Sequence, residues 1–340
     1  MKSLQNMKKR ACLIGGFDKQ GLIDNKGIIH DYVVYFVEKL SEFCDVYFYT
    51  DNPICEEELA KVRPFTKYAA GHRYGRYDFG SWSLLIKEIG YDKLEQYDEL
   101  ILTNDSCFGP MFPFKEMFDK MDAQNLDAWS ICGNKFLMSF FVVLNKKVFM
   151  HDDFKYFFDN IKEEEDKYVV IKKYEHGLNS LITENGFSTG LYISNQDVKS
   201  FYKKNKKDIH KKIKEVVPFW PRLFIRFSPN KIRLYEEDFV LPFFMHMPLL
   251  KKISLHVTTS VLPVYYRDLI KDNCDYPIEL IDSFLEKSNS APPAKPWPRI
   301  KEKIKDKLKR FMHDKKYRGD KIITRVFTIP IKSKKMDYKI

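Results

Sequence analysis

The sequence lacks the signatures of several large classes of protein. It contains no run of about 18 uninterrupted apolar residues, so no membrane-spanning helix is predicted. The six cysteines include no CxxC pair, which argues against a zinc site or a disulfide framework and for reduced thiols in a cytoplasmic protein. Neither a Walker A motif nor a GxGxxG motif is present. Only 14 of the 340 residues are glycine, so a segment that contains several glycines is a candidate for a specific turn or a close backbone contact.

The composition is that of a folded globular chain with an excess of positive charge. Hydrophobic residues make up 44% and aromatic residues 15%, enough for a sizeable core. The net charge of +11 implies an anionic partner, and it concentrates in 199–216, 301–318 and the last residues. No nucleic-acid recognition module accompanies it, and the aromatic 216–250 region is interleaved with leucine and proline, the pattern of core or flap packing. A nucleic-acid partner is therefore not predicted.

The order of elements near the start predicts an α/β fold. Residues 10–17 and 45–50 are predicted strands, and the apolar spacing in 28–42 predicts a helix between them. Strand, helix and strand in that order indicate a Rossmann-type, mostly parallel sheet flanked by helices. Further strands are predicted over 127–132, 139–149 and 188–193, and further helices over 114–122, 152–166 and 263–286.

The segment YDELILTNDSCFGP, 97–110, predicts a strand with a site at its end. Its short apolar run suits a strand that is covered on both faces. Asn104, Asp105 and Ser106 follow at the carboxyl end, where ligands bind in open α/β sheets. Asp105 is thus a candidate to contact a metal ion or a phosphate. The alternative interpretation is that Asp105 only caps the turn.

Two other segments carry candidate residues. In AAGHRYGRYDFGSWSLLIKEIG, 69–90, the glycines predict a loop before a helix over 82–89, whose free N–H groups suit a phosphate. In KKYEHGLNSLITENGFSTGLYIS, 172–194, the apolar spacing predicts a helix that starts near Glu175. The helix dipole would favour a carboxylate there, for catalysis or simply as a stabilising first-turn residue.

The C-terminal part is predicted to be an appendage. SAPPAKPWP, 290–298, is typical of a linker. Beyond it, the spacing of Ile300, Ile304, Leu308 and Phe311 among lysines predicts a basic amphipathic helix. Such a helix suits an anionic membrane surface, although an ordinary surface helix docked on the core has the same pattern.

Four of these segments together resemble a known family. GRYDFGSW, YDELILTNDSCFGPMFPFKEMFDKM, SFFVVLNKKVF and YEHGLNSLITENGF occur in this order. They resemble rhamnan synthesis protein F-type proteins, which are glycosyltransferases of bacterial surface polysaccharide assembly. The resemblance covers residues 10–195 well and continues more weakly through 260–281. It implies a GT-A-like fold, and the amphipathic spacing beyond the linker adds a helical C-terminal extension.

The resemblance also assigns roles to the candidate residues. NDS takes the place of the Asp-x-Asp element, so Asp105 would hold Mg²⁺ or Mn²⁺ and the donor diphosphate. Glu175 would be the catalytic base. The implied donor-binding set is Gly75, Asp78, Gly80, Asn104, Asp105 and Ser106. An inverting sugar transfer needs this chemistry, because the leaving diphosphate must be neutralised and one carboxylate must deprotonate the acceptor hydroxyl.

The sequence departs from the family pattern in three places. NDS offers one carboxylate where Asp-x-Asp offers two, which leaves metal dependence open. Tyr74 and Arg76 replace Asn and Gly, which implies different donor contacts in that loop. The basic stretch after the late proline is replaced by IELIDSFLEKSN, which leaves Arg267 and nearby lysines as the basic candidates.

The expected function is transfer of a sugar, L-rhamnose or another deoxyhexose, from a nucleotide-sugar donor, with dTDP-sugars favoured. The expected acceptor is a lipid-linked or nascent surface glycan at the inner face of the plasma membrane, with the protein cytoplasmic and peripheral. The predicted organisation is a donor-binding and catalytic core, 1–195, a flap region completing the domain, 196–289, and the linker and basic tail, 290–340. The alternative is a non-catalytic, membrane-associated partner of an assembly complex.

Overall fold

A computed structural model of the chain gives the architecture. It describes residues 8–18, 21, 23–75, 77–133, 136–164, 167–223, 225, 227, 239–256 and 262–288, together with the backbone of three strands between 315 and 335. The strands are β1 Arg10–Gly16, β2 Asp45–Thr50, β3 Tyr68–Gly71, β4 Glu99–Asn104, β5 Cys107–Phe108, β6 Ala128–Gly133, β7 Phe141–Asn145, β8 Thr189–Ser194, β9 Leu250–Lys251, β10 Lys315–Arg318, β11 Lys321–Val326 and β12 Ile329–Lys335.

Helices of very different lengths connect these strands. The α-helices are α1 Asp31–Ser41, α2 Glu56–Ala60, α3 Tyr77–Ile89, α4 Tyr91–Leu94, α5 Phe114–Asp122, α6 Lys146–Phe149, α7 Asp152–Asp159, α8 Lys167–Val170, α9 His176–Glu184, α10 Asn195–Val216, α11 Phe219–Arg222, α12 Val240–Phe244, α13 Lys252–His256, α14 Tyr266–Lys271 and α15 Glu279–Lys287. A π-helical segment, Ile171–Glu175, joins α8 to α9, and 3₁₀ turns lie at Arg63–Phe65 and Leu262–Tyr265. No helix in the described parts of the chain is both long enough and apolar enough to cross a bilayer.

Seven strands form one sheet in the order β3-β2-β1-β4-β7-β6-β8. Neighbouring strands in this sheet are parallel, except that β7 runs antiparallel to both β4 and β6. The chain leaves β1 towards β2 on one side, while β4 lies on the other side of β1. The sheet therefore has a topological switch point between the carboxyl ends of β1 and β4, where ligands bind in α/β sheets.

Apolar side chains cover the sheet on both faces. On β1, Cys12 and Ile14 join the core on one face, while Ala11 and Leu13 join the core on the other. Helices α1, α5 and α10 pack on the first face, and α3, α7 and α9 pack on the second. Burial of each large apolar side chain contributes about 1.5–3 kcal/mol, so the two layers fix the positions of the strand ends.

A small second sheet pairs β9, from late in the chain, with β5, which closely follows β4. Cys107 and Phe108 of β5 pair antiparallel with Lys251 and Leu250 of β9. The amide of Lys252 then donates to the carbonyl of Ser106 at 2.9 Å. This pairing brings Lys252 to the residues that follow β4.

The predicted fold class is confirmed, with local corrections. The mostly parallel sheet is present, and the helix predicted over 114–122 is α5. Residues 139–149 were predicted as strands, but the second part is helix α6, because the side chain of Asn145 caps it by accepting the Val148 amide. The predicted loop over 69–80 instead contains β3 and the start of α3.

The tail is only partly described. The linker at 290–298 and the basic amphipathic helix predicted over 300–312 lie outside the described residues. Beyond them, β10, β11 and β12 form a three-stranded antiparallel sheet. The sequence analysis did not predict these strands.

A buried ion pair lies at the amino ends of β1 and β4, and breaking it should cost much of the stability of the fold. The guanidinium of Arg10 contacts Glu99 at 2.6 Å and Asp122 at 2.7 Å, and the side chains of Arg10 and Glu99 are each 2% exposed. Glu99 also contacts Lys8 at 2.6 Å and keeps that partner in Arg10→Ala. The substitution should therefore lower the free energy of unfolding by about 3 kcal/mol, the low end of the range for a broken buried ion pair. Urea denaturation measures it, with Lys39→Ala, from the surface pair Lys39–Glu42, as control. Equal effects of the two substitutions would contradict this assignment.

Candidate active site

The candidate site lies at the switch point between β1 and β4. Gly15 pairs with Asn104 in the sheet, and the amide of Asp105 donates to the carbonyl of Gly15 at 3.2 Å. A Cβ on Gly15 would lie 3.1 Å from the Cα of Asp78, so glycine lets the start of α3 approach the strand ends closely. The polar residues that follow β4 therefore face the first turn of α3 across a narrow gap.

Asp105 reaches across this gap to the end of β1. Its Oδ2 accepts the amide of Phe17 at 3.1 Å, while Oδ1 has no hydrogen-bond partner among the described residues. The alternative role for Asp105, capping the turn after β4, is filled by Asn104. Its Oδ1 accepts the amide of Ser106 at 3.2 Å. Burial raises the pKa of the Asp105 carboxyl, and the positive charge of Lys252 and the Phe17 amide oppose that rise. Asp105 is thus a half-buried carboxylate with an oxygen available to a ligand.

Asp78, Asn104 and Ser106 form one hydrogen-bonded chain. The side-chain amide of Asn104 donates to Asp78 Oδ2 at 2.8 Å, and the hydroxyl of Ser106 donates to Asn104 Oδ1 at 2.6 Å. Burial raises the pKa of Asp78, Asn104 lowers it, and the charge of Glu175 raises it further. Three predicted residues, Asp78, Asn104 and Ser106, therefore contact one another, and Glu175 lies within electrostatic range of Asp78.

Glu175 lies in a different helical setting from the one predicted. It ends the π-helical segment between α8 and α9, so it sits within a continuous helical stretch that starts at Lys167. The prediction of a helix N-terminus at Glu175 is wrong, because the helix already covers the preceding turn. The hydroxyl of Ser139 donates to Glu175 Oε1 at 2.8 Å and orients the carboxylate. Single π-helical turns often occur at functional sites.

The Gly-rich loop is held by Asp51, which follows β2. The Asp51 carboxylate accepts the amides of Tyr74 at 2.9 Å, Gly75 at 3.1 Å and Tyr77 at 3.3 Å, and it pairs with Arg73 at 2.6 Å. Gly75 has φ +69°, a left-handed conformation that favours glycine. Asp51 thereby fixes the approach to α3.

This contact explains two corrections to the predicted loop. Asp51 accepts the amide of Tyr77, so α3 begins at Tyr77 and not at 82. Gly80 consequently lies buried inside the helix and is not a loop residue. The predicted donor-binding role of Gly80 has no support from its position, whereas Gly75 does lie in the loop.

Asn52 and Lys252 are site residues that the sequence analysis missed. Asn52, the neighbour of Asp51, accepts the amide of Asp18 at 2.7 Å and donates to its carbonyl at 2.6 Å, which fixes the chain after β1. Asn52 could have been found from the sequence, because a polar pair directly follows β2 just as NDS follows β4. No local pattern marks Lys252, because only the pairing of β5 with β9 places it. Arg267, the basic candidate from sequence, is paired with Asp282 at 3.0 Å.

The donor set for a metal ion is small. Among the described residues, no three His, Cys, Asp or Glu side chains converge as a metal-binding group. The charge of Asp18 acts on Asp105, but the Asp18 carboxylate already accepts the amides of Gly21 and Ile28. Asp105 is a single carboxylate ligand. It can hold Mg²⁺ or Mn²⁺ when phosphate oxygens of the substrate complete the coordination.

An exposed aromatic ring lies beside Glu175. Phe136 is 54% exposed and stacks on His176, with ring centroids 5.6 Å apart and an interplanar angle of 14°. Asn179 fixes this loop to the helix, since it accepts the amide of Leu137 at 2.7 Å and donates to the carbonyl of Glu175 at 2.9 Å. An exposed aromatic ring thus stacks on the residue that follows Glu175 in the chain.

The sheet order with β7 reversed, together with polar residues at the switch point, defines a GT-A-like α/β fold. The chain belongs to the rhamnan synthesis protein F family, whose family model matches residues 54–324. Fold and family together support a glycosyltransferase. None of the curated proteins matches the chain.

Several solved structures are distantly similar. The glycosyltransferase GlyE of Streptococcus pneumoniae is 11% identical, covers 83% of this chain and 64% of its own, and has a TM-score of 0.39. Residues 1–349 of S. aureus TarS are 10% identical, covering 94% and 96%, with a TM-score of 0.32. Core-mannan synthase A of Aspergillus fumigatus, in a Mn/GDP form, is 10% identical, covering 53% and 72%, with a TM-score of 0.30. At these scores no residue role is transferred from them.

Proposed function

We propose that the protein is an inverting glycosyltransferase that moves a sugar from a nucleotide-sugar donor to a growing surface glycan. The observation that carries this proposal is the contact of Asn104 with Asp78 beside Asp105 at the switch point of the sheet, with Glu175 in electrostatic range of Asp78. Family membership supports the substrate class, L-rhamnose or another deoxyhexose, with a dTDP-sugar as the favoured donor.

The reaction follows from the two sides of the site. Glu175, oriented by Ser139, takes the proton from the acceptor hydroxyl. The acceptor oxygen then forms a bond to the anomeric carbon while the bond from that carbon to the diphosphate oxygen breaks on the opposite face. The nucleoside diphosphate leaves with the electron pair, and the configuration at the anomeric carbon inverts.

The donor side is built from residues after β4 and before α3. Asp105, Asn104, Ser106 and Asp78 line the gap in which the diphosphate would lie, and Gly75, in a left-handed conformation, lies in the loop before α3. Asp105 would hold Mg²⁺ or Mn²⁺ together with phosphate oxygens, and such an ion neutralises charge on the leaving group.

The acceptor side is the platform of Phe136 and His176. An exposed aromatic ring offers an apolar face to the C–H groups of a sugar ring, and this one stacks on His176, the chain neighbour of the proposed base. The acceptor proposed from the resemblance is a lipid-linked glycan at the inner face of the plasma membrane. The exposed lysines of α10 support an anionic surface as the docking partner. They are Lys203, Lys204, Lys206, Lys207, Lys211, Lys212 and Lys214.

The test is a panel of nucleotide sugars, with and without Mg²⁺, read out as donor binding and slow donor hydrolysis. One donor is expected to bind and to be turned over. If no nucleotide sugar binds at millimolar concentration, the enzyme proposal fails and the non-catalytic assembly partner takes its place.

Asp105→Asn tests the donor side. The substitution keeps an oxygen for the Phe17 amide but removes the charge that would hold a metal ion near the diphosphate. The dissociation constant of the bound nucleotide sugar should rise about tenfold or more in Mg²⁺. Asp119→Asn, an exposed residue of α5 paired with Lys115, is the matched control. If calorimetric titration gives both variants the wild-type affinity, Asp105 is not a donor contact.

A further inference from the structure

We propose that the ammonium group of Lys252 binds the diphosphate of the donor and neutralises the leaving group, so that a divalent metal is not the only countercharge. This inference rests on the proposed function. It assigns a task to a residue outside the four segments that carry the resemblance to the family.

The first observation is the position of Lys252. Pairing of β5 with β9 places residues 250–252 along the chain that leaves β4. The amide of Lys252 donates to the carbonyl of Ser106, so its backbone is fixed one residue away from Asp105. The Tyr32 hydroxyl lies 2.7 Å from Lys252 Nζ and 2.8 Å from the backbone carbonyl oxygen of Asp105, so it bridges the two residues. Lys252 therefore borders the same gap as the donor-binding residues.

The second observation is that the ammonium group lacks a counter-ion. Lys252 is half-buried, and within the described parts of the chain no carboxylate lies within 4.0 Å of its Nζ; its one hydrogen bond is to the Tyr32 hydroxyl at 2.7 Å. An ammonium has three N–H donors, so two remain for a ligand. A partly desolvated positive charge without a paired anion favours an anionic ligand.

The third observation is that the side chain is held in place. Its Nζ lies 5.1 Å from the ring centroid of Tyr32 and 4.9 Å from that of Phe284, both within cation–π range. The hydroxyl of Tyr32 accepts from Lys252 and donates to the backbone carbonyl of Asp105 at 2.8 Å. This chain of contacts links the ammonium group to the end of β4, which gives the preorganisation that charge stabilisation needs.

A neighbouring histidine supplies an independent observation that points to a ligand. His30 packs edge-on against Phe284 at 5.0 Å and lies 6.0 Å from Tyr32, the same two rings that hold Lys252. Its Nδ1 is buried and has no hydrogen-bond partner among the described residues. Buried polar atoms are normally hydrogen-bonded, so an unpartnered nitrogen here is consistent with a polar ligand in this gap.

The experiment compares nucleoside diphosphates with monophosphates. Wild type, Lys252→Met and Lys271→Met are titrated with dTDP, UDP and GDP and with the matching monophosphates, each with Mg²⁺ and with EDTA. Methionine keeps an apolar stem against the two rings, and Lys271, exposed on α14, is the matched control. Tyr32→Phe, which keeps the ring but removes the hydrogen bond to Nζ, is the second variant should Lys252→Met fail to fold.

The wild type is expected to retain diphosphate binding in EDTA. Lys252→Met should weaken diphosphate binding at least tenfold, most strongly in EDTA, and change monophosphate binding less than twofold. Lys271→Met should behave as wild type. Diphosphate binding by a folded Lys252→Met at wild-type affinity would overturn this inference and leave the proposed function standing. Failure of the wild type to bind any nucleotide would overturn both.

Discussion

Glu175→Gln is expected to lower kcat for sugar transfer by about 10²–10⁴-fold, the contribution of a positioned general base. Glutamine keeps the size of the side chain and an oxygen for the Ser139 hydroxyl, but it cannot take a proton from the acceptor. Donor affinity should stay within about twofold of wild type, because the diphosphate lies on the Asp105 side.

Initial rates at saturating donor and acceptor measure this effect. Glu184→Gln, an exposed position near the end of the same helix, is the matched control and should leave kcat unchanged. Ser139→Ala removes only the orienting hydrogen bond, so a smaller loss of kcat is expected. If Glu175→Gln retains more than about a tenth of the wild-type kcat, Glu175 is not the base.

Asp51→Ala should lower the free energy of unfolding by about 3–5 kcal/mol. The Asp51 side chain is 1% exposed and accepts three backbone amides as well as the guanidinium of Arg73. Alanine leaves these amides without a partner in a buried place, and the start of α3 loses its acceptor.

Urea denaturation measures the loss. Asp51→Asn keeps an acceptor oxygen but not the charge, so a smaller loss is expected. Asp268→Ala, an exposed residue in the first turn of α14, serves as the control and should fall within about 0.5 kcal/mol of wild type. A loss below about 1 kcal/mol for Asp51→Ala would show that solvent or another group can replace the carboxylate.

The sheet was largely predictable because its signals are local. Apolar runs bounded by turn residues marked β1, β2 and β4, and an intervening helix implied parallel pairing. The reversed direction of β7 was not predictable, since a buried apolar run reads the same in both directions. Helix α3 begins at Tyr77 because Asp51, far away in sequence, supplies its acceptor. Cues read along the chain cannot show a cap of this kind.

The same distinction holds for the site. Asp105 was identifiable because a strand followed by Asn-Asp-Ser puts polar groups at a sheet edge. Asp51 and Asn52 follow β2 in the same way, yet DNP also describes an ordinary turn. Lys252 could not be identified, because two residues of β9 pairing with β5 determine its place. Contacts between segments distant in sequence thus supply the part of the site that the residue pattern omits.

The most direct test of the account is a crystal structure of the wild-type protein with dTDP or UDP and Mg²⁺. The diphosphate is expected between the carboxyl ends of β1 and β4, within hydrogen-bond distance of Lys252 Nζ and beside Asp105. A nucleotide bound at another face of the sheet, with this gap empty, would contradict the assignment of the site.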